Sequence, residues 1–336
     1  MKKGKTVTIE DVAKAAGTSK STVSQFLNKR YEYMSQNTRE KIERIIAEMN
    51  FQPNHFASNL KKRKTKMVGI IVANIRHVFS TEIIRIIEQT LQEQGMQVII
   101  CNADDDPEKE RGYIQLLATR SVDGLIIFPT GSNYAEYSRL INDKVPVVFI
   151  DRKMEGILAD TVLLDNEAAS FLAVSTLVEH GRDRIAMFTQ PVDHQISPRV
   201  ERIEGYKKAL SFFNFDDHAE LLCSNPLPLL KGDLERLFKA EIKPDAIIAG
   251  NDLVLKEVLS FLKENNISIP GDVSVIGIDD VSYADIYHPS LTTIAQPTQE
   301  MGLKTAEIIL SSIKESESRV PIVYRFSPEL KMRESC

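Results

Sequence analysis

Apolar residues recur four apart in two short runs near the start of the chain: Val12 with Ala16, then Val23 with Leu27. That spacing places each pair on one face of a helix. Thr8, with Asp11 three residues on, forms the pattern of a capping pair. Gly17 lies between the runs, where a residue without Cβ can take positive φ and end the first helix. Ser19 has the chemistry to cap the second. Away from Val23 and Leu27 the second helix carries Lys20, Ser21, Ser24 and Gln25, short polar and basic groups suited to phosphates and to base edges in a major groove. Two small amphipathic helices also occur in many helical domains, so this segment alone leaves both readings open. Ile42, Ile45, Ile46 and Met49 predict a third helix, capped by Ser35 or Asn37, that closes a core over Val12 and Val23.

After Lys66 the pattern changes. Continuous apolar runs at 67–73, 97–101, 124–128 and 145–150 read as buried strands. Helical stretches separate them, including 81–94, with Ile83, Ile87 and Leu91 along one side, and 107–120. Further strands are expected at 184–188, 220–223, 245–249 and 273–278. Buried strands alternating with amphipathic helices mean parallel sheets covered on both faces. The expectation is an all-α helix-turn-helix head followed by an α/β core of two doubly wound, parallel-sheet lobes, each of roughly 120 residues.

Charge sharpens the division. Residues 1–66 hold 15 Lys/Arg against 6 Asp/Glu, while the whole chain of 336 residues has a net charge of −5. A basic small domain beside an acidic large one is the footprint of a nucleic-acid module joined to something else. No apolar run follows Lys2, Lys3 and Lys5, which argues against a signal peptide, and no stretch reaches the length of a membrane span. Cys101, Cys223 and Cys336 lie far apart without metal-like spacing and suit a reducing compartment. A cytoplasmic protein without cofactor, metal or membrane partner is expected.

Several motifs then converge. Thr8-Ile-x-Asp-Val-Ala13, Ser19-Lys-Ser-Thr-Val-Ser24, Asn28, Phe51-x-Pro-Asn54 and Ala57-x-x-Leu60-Lys61 resemble the headpiece of the LacI/GalR family of bacterial repressors. The resemblance implies that the segment after Phe51 is a hinge helix folded on the operator. Leu60 would be the wedge inserted between base pairs from the minor groove, with Ala57 beside it. Asn54, Lys61 and Lys62 would reach the backbone or groove edges. Candidate DNA contacts are thus Thr8, Thr18, Ser19, Lys20, Ser21, Thr22, Ser24, Gln25, Asn28, Phe51, Asn54, Ala57, Leu60 and Lys61. Gln25 stands where the family commonly has Arg, and Gln prefers adenine where Arg prefers guanine. The turn after Asn28 is longer and more aromatic than usual, and its aromatics would pack under the third helix or contact phosphates, with packing favoured for Tyr31 and Tyr33. The run Leu27 to Met34 is similar to regulators of 2-keto-3-deoxygluconate use in pectin and hexuronate catabolism.

The core resembles the sugar-binding fold of the same family. Its markers are Asn102-Ala-Asp-Asp-Asp-Pro107, Arg120-Ser-Val-Asp-Gly124, Val145-Pro-Val-Val-Phe-Ile-Asp151, Asp279-Asp280, Pro289 to Pro297 and Arg333-Glu-Ser335. The resemblance implies lobe crossings near residues 163, 296 and 321. The expected domains are 1–52 (helix-turn-helix), 53–66 (hinge and linker), 67–163 with 296–320 (first lobe) and 164–295 with 321–336 (second lobe). Ligands of open parallel sheets bind beyond the strand carboxyl ends, which here face a cleft between the lobes. The family's most regular ligand contacts correspond to Arg202 and Asp279, then Asn251, with Asp151 and Gln296 weaker. Phe79 and Phe128 would either offer apolar faces to a sugar ring or belong to the core, and the positive charge of Arg199, near His194, would either suit a sugar acid or be solvated loop charge.

Three functions compete: a regulator responding to a small molecule, a transport component, and an α/β enzyme with a DNA-binding head. No Walker loop, G-x-S-x-G elbow, HExxH or CxxC is present, and nothing supplies a nucleophile beside Asp279-Asp280. The expected partners are a pseudo-palindromic double-stranded operator, a small-molecule effector of the sugar or sugar-acid class, and a second copy of the chain. The dimer contact would include part of 81–94. A protein corepressor stays open.

Overall fold

A computed structural model describes residues 7–27, 30–31, 34–49, 65–192, 196–215, 221–241, 243–314 and 320–336. The chain divides into two compact units, residues 1–62 and 63–336.

The first unit forms from local signals. Helix α1 (Ile9–Ala16) starts at Thr8, whose hydroxyl accepts the Asp11 N–H while the Asp11 carboxylate accepts the Thr8 N–H at 2.9 Å. It ends at Gly17, which sits in the left-handed region at φ 61°. Ser19 Oγ accepts the Thr22 N–H at 3.1 Å and caps α2 (Lys20–Leu27). Ser35, rather than Asn37, caps α3 (Gln36–Glu48). Val12, Val23 and Ile42 are fully buried where the three helices meet, with Phe26, Leu27, Ile45, Ile46 and Met49 packed around them. Tyr31 packs as expected: its ring meets Phe26 edge-on and carries the Arg39 guanidinium 3.9 Å above it.

The second unit contains two six-stranded sheets. The first is built from β1 (Met67–Val72), β2 (Gln97–Asn102), β3 (Gly124–Ile127), β4 (Val147–Ile150), β5 (Asp160–Leu164) and β11 (Val323–Phe326), in the order β11-β5-β4-β3-β1-β2, all parallel. Helices α4 (Val78–Glu93), α5 (Pro107–Thr119), α6 (Tyr134–Asn142) and α11 (Thr298–Lys314) belong to this lobe. The second sheet comprises β6 (Ile185–Thr189), β7 (Leu222–Ser224), β8 (Ala246–Ala249), β9 (Ser274–Ile278), β10 (Thr292–Ala295) and β12 (Glu329–Lys331), in the order β12-β10-β9-β8-β6-β7. Its helices are α7 (Asn166–Glu179), α8 (Ser197–Phe212), α9 (Leu227–Lys239) and α10 (Asp252–Glu264). The central strands are apolar and buried on both faces, as parallel strands covered by helices must be.

Three features depart from the sequence reading. The edge strand β12 runs antiparallel to β10, so the second sheet is mixed. The last crossing comes after Phe326, not near residue 321, because β11 pairs with β5 along Val323 to Phe326 and stays in the first sheet. Helix α4 begins three residues before Thr81. Thr81 has the chemistry of a cap, yet its hydroxyl bonds back to the Val78 carbonyl, and the Val78 N–H is satisfied by Asp252 of the other lobe at 2.9 Å.

Candidate functional site

The carboxyl ends of β1, β3, β4, β6, β8 and β9 all open on one cleft between the lobes. It encloses about 500 Å³, its open mouth included. All eight side chains expected there line it: Phe79, Phe128, Asp151, Arg199, Arg202, Asn251, Asp279 and Gln296.

Arg202 sits in the middle of α8, where Gly205 lets that helix approach the backbone of Glu167 so closely that a Cβ would collide with it. The approach buries the guanidinium. Its Nε donates to Asn166 Oδ1 at 2.8 Å and Nη1 to the Gly250 carbonyl at 2.6 Å. Asp279 follows β9 with φ 86°, a left-handed conformation unusual for a residue with a Cβ, so the surrounding structure holds it there. Its Oδ1 accepts Gln296 Nε2 at 2.6 Å. Burial drives the Asp279 carboxyl above the usual carboxylate range, against the pull of Arg202. Asn251 caps α10 through the Val254 N–H and donates to Gln190 Oε1 at 2.9 Å.

Residues missed in the sequence complete the wall. Arg152, next to Asp151 at the end of β4, is buried. It donates to the Pro129 carbonyl at 3.1 Å and to Asp105 at 3.0 Å, and stands 3.4 Å from Asp151. Burial alone would raise the Asp105 carboxyl, but Arg152, Asn74 and Arg199 outweigh it and hold the group below its ordinary range. Gln190 directly follows β6 and Arg152 is the second residue after β4, so the rule that finds ligands at strand carboxyl ends could have found both. Behind the wall, buried Glu110 accepts from the Thr130 N–H and hydroxyl, Asn133 and Tyr137, fixing the loop whose Pro129 carbonyl holds Arg152.

Phe79 and Phe128 meet edge-on at 6.5 Å. They are only 5% and 1% exposed and belong to the first-lobe core, so they floor the cleft instead of offering an open ring face. Gln296 Oε1 is buried without a hydrogen-bond partner among the described residues, and Arg152 Nε meets only the Asp151 carboxylate, 3.4 Å away.

Among the described residues, polar contacts join the lobes across or beside the cleft. Asp252 bonds His77 Nδ1 at 2.6 Å and the Val78 N–H. The Lys153 N–H reaches Ser197 Oγ at 2.8 Å. Arg325 of β11 holds Glu201 of α8 through two bonds of 2.9 and 2.8 Å.

On α2 of the first unit, Lys20 and Ser21 are exposed and Thr22, Ser24 and Gln25 half-buried; Thr8 and Ser19 are exposed and Thr18 half-buried. Thr8 and Ser19 serve as caps. Lys20 donates to Glu10 at 2.9 Å in an exposed pair that water screens, so its ammonium can exchange partners. Asn28, Phe51, Asn54, Ala57, Leu60, Lys61 and His194 lie outside the described residues, as does Tyr33. Among the described residues no helix is long and apolar enough to cross a membrane, and no group of three His, Cys, Asp or Glu is placed to hold a metal.

A helix-turn-helix unit carried in one chain with a bilobed, parallel-sheet binding core defines a class of DNA-binding regulator. Residues 8–54 match the model of bacterial regulatory proteins of the lacI family, and residues 174–336 that of a periplasmic binding protein-like domain. The chain is 44% identical over 332 residues to a probable HTH-type transcriptional regulator EndR of Paenibacillus polymyxa, with 98% of each chain covered. It is 34% identical to the HTH-type transcriptional regulator KdgR of Bacillus subtilis (strain 168), covering 98% of this chain and 97% of that one. A sucrose operon repressor of Pediococcus pentosaceus is 30% identical over 96% of this chain and 97% of its own. Among solved structures, a transcriptional regulator CelR–cellobiose complex superposes with a TM-score of 0.73 at 27% identity, covering 98% of this chain and 100% of the other. The chain belongs to the LacI family of bacterial transcriptional regulators. It is a sequence-specific DNA-binding regulator of the kind modulated by a small-molecule effector.

Proposed function

We propose that this regulator represses a carbohydrate-catabolism operon and that a sugar or sugar acid bound in the interlobe cleft modulates its hold on the operator. The observation that carries the reading is the lining of the cleft. Arg202 donates and Asp279 accepts, and Gln296 Oε1 is buried without a hydrogen-bond partner among the described residues. A guanidinium facing a carboxyl is the arrangement that grips neighbouring oxygens of a polyhydroxylated ring. The similarity to a regulator solved with cellobiose and to a sucrose operon repressor supports a carbohydrate.

Two copies would place their α2 helices in successive major-groove half-sites, with Leu60 of each hinge in the minor groove between them. Effector binding would change the angle between the lobes and hence the separation of the hinges. It acts only through its different affinities for the two arrangements.

A thermal-shift screen of the purified chain against sugars, sugar acids, sugar phosphates and purines tests the reading. A ligand at a hundred times its Kd stabilises the native state by about 2.7 kcal/mol. A carbohydrate hit that is lost in Arg202→Ala and that alters operator retention in a mobility-shift assay supports the proposal. A hit confined to purines overturns it.

A further inference from the structure

Three guanidinium groups reach the wall of the cleft, and their partners differ in kind. Arg152 is matched by two carboxylates, bonding Asp105 at 3.0 Å and standing 3.4 Å from Asp151. Arg202 faces Asp279 and is held by two neutral acceptors, Asn166 Oδ1 and the Gly250 carbonyl. Arg199, on the first turn of α8, has neutral acceptors alone: the Pro191 carbonyl at 2.8 Å and Gln190 Oε1 at 3.4 Å. Among the described residues no carboxylate is bonded to it. Asp105 and Asp151 lie close enough to be felt, but both are committed to Arg152. The third acid, Asp279, faces Arg202, and burial holds its carboxyl above the usual range.

Resting on the reading of this cleft as the effector site, we infer that Arg199 is the seat of a carboxylate carried by the effector, which is therefore an acid of the uronic, aldonic or keto-sugar class and not a neutral sugar. The guanidinium fork matches a carboxylate through two parallel N–H···O bonds. A neutral hydroxyl in that place leaves the Arg199 guanidinium on neutral oxygens alone among the described residues. A phosphate dianion brings more charge than one guanidinium balances and meets Asp105 and Asp151 on the same rim. Burial, with Arg152 and Arg202 nearby, depresses the Arg199 pKa to about 10. The ligand-free site therefore disfavours that charge, and an anion relieves it.

The full-length chain is titrated at constant ionic strength with D-galacturonate, D-gluconate and 2-keto-D-gluconate. The comparisons are the neutral D-galactose, D-glucitol and D-fructose, and D-glucose 6-phosphate. Binding is read by calorimetry and thermal unfolding. At least one acid binds on the order of 10- to 100-fold more tightly than its neutral counterpart, the loss expected when a charge-assisted pair is removed. Arg199→Gln erases that ratio and Arg199→Lys keeps part of it. Without ligand, Arg199→Gln unfolds at a temperature no lower than the wild type, because repulsion among the three arginines is relieved; a merely structural Arg199 would give a lower one. Equal binding of neutral sugars, tightest binding of the phosphate, or an acid-to-neutral ratio unchanged in Arg199→Gln overturns the carboxylate seat. If neutral sugars bind and Arg202→Ala abolishes that binding, the cleft remains the effector site and only the inference about Arg199 falls. Silence from every compound overturns both.

Discussion

Replacing Asp252 with alanine removes a carboxylate that caps a helix of the opposite lobe. Oδ1 lies 2.6 Å from His77 Nδ1, and Oδ2 takes the Val78 N–H at 2.9 Å, so both bonds cross the cleft. The Asp252 and His77 side chains are only 5% and 14% exposed, which limits the screening of the pair. A hydrogen bond to a charged group contributes about 1.5–3 kcal/mol and a helix cap about 1 kcal/mol. Opening the cleft rehydrates His77 and the first turn of α4, so the net preference for the joined arrangement is set near the low end, about 2 kcal/mol. That is roughly a 30-fold change in the ratio of joined to separated lobes. Lys153–Ser197 and Arg325–Glu201 also link the lobes, so the variant loosens the join without abolishing it. Amide hydrogen exchange is the assay: the Val78 amide should exchange about 30-fold faster in Asp252→Ala, while amides at the centre of β1 stay unchanged.

The pH dependence gives a second check. Burial would raise the Asp252 carboxyl, but the His77 bond and charge and the amides of Val78 and Leu253 outweigh it and hold the group below the ordinary range. An acid whose folded pKa is depressed contributes stability that is complete above its unfolded value of about 3.9 and is lost as pH falls through the folded value. Protection at Val78 in the wild type should therefore hold at pH 5 and fall below about pH 4. Asp252→Ala should lack that step. Unchanged Val78 protection in the variant would refute the claim that this carboxylate holds the lobes together.

Other outcomes follow from single side chains. Asp279→Asn should raise ligand-free stability at neutral pH, since burial lifts the wild-type carboxyl above its usual range. Wild-type stability then falls as pH rises through and above the unfolded value of about 3.9, and the variant should lose that slope in urea unfolding across pH. Thr8→Ala removes the hydroxyl half of the α1 capping box, leaving the backbone N–H of residue 8 on the Asp11 carboxylate, and should cost the headpiece about 1 kcal/mol, read as lost amide protection in α1. Gln25→Arg should shift the contacted base from adenine toward guanine in a selected-site assay; an unchanged preference would remove Gln25 from base readout.

Much of the headpiece was legible because its signals act within one or two turns. The Thr8–Asp11 box, the Gly17 turn and the Ser19 cap each connect residues two or three positions apart, and the stripe that buries Val12, Val23 and Ile42 follows from helical spacing alone. Long apolar runs likewise marked the central strands, since a strand buried on both faces tolerates little else. The strand-end rule reached Asn251 and Asp279 for the same reason.

The sequence by itself therefore determined the helix-turn-helix, the alternation of strands and helices, and which strand ends carry the polar residues of the cleft. Tertiary structure decided where distant segments meet. The start of α4 is set by Asp252, 174 residues away, and no local pattern around Thr81 announces it. The short strands β5 and β11 are defined by pairing with each other, which moved the last lobe crossing past Phe326. Helix α8 is held against α7 at Gly205, and that approach, more than any stripe, buries Arg202. The charge balance of the cleft was also beyond sequence. Whether an arginine is matched depends on which carboxylates the fold brings within bonding distance, and Asp105 and Asp151 are both brought to Arg152, while among the described residues Arg199 bonds only neutral oxygens.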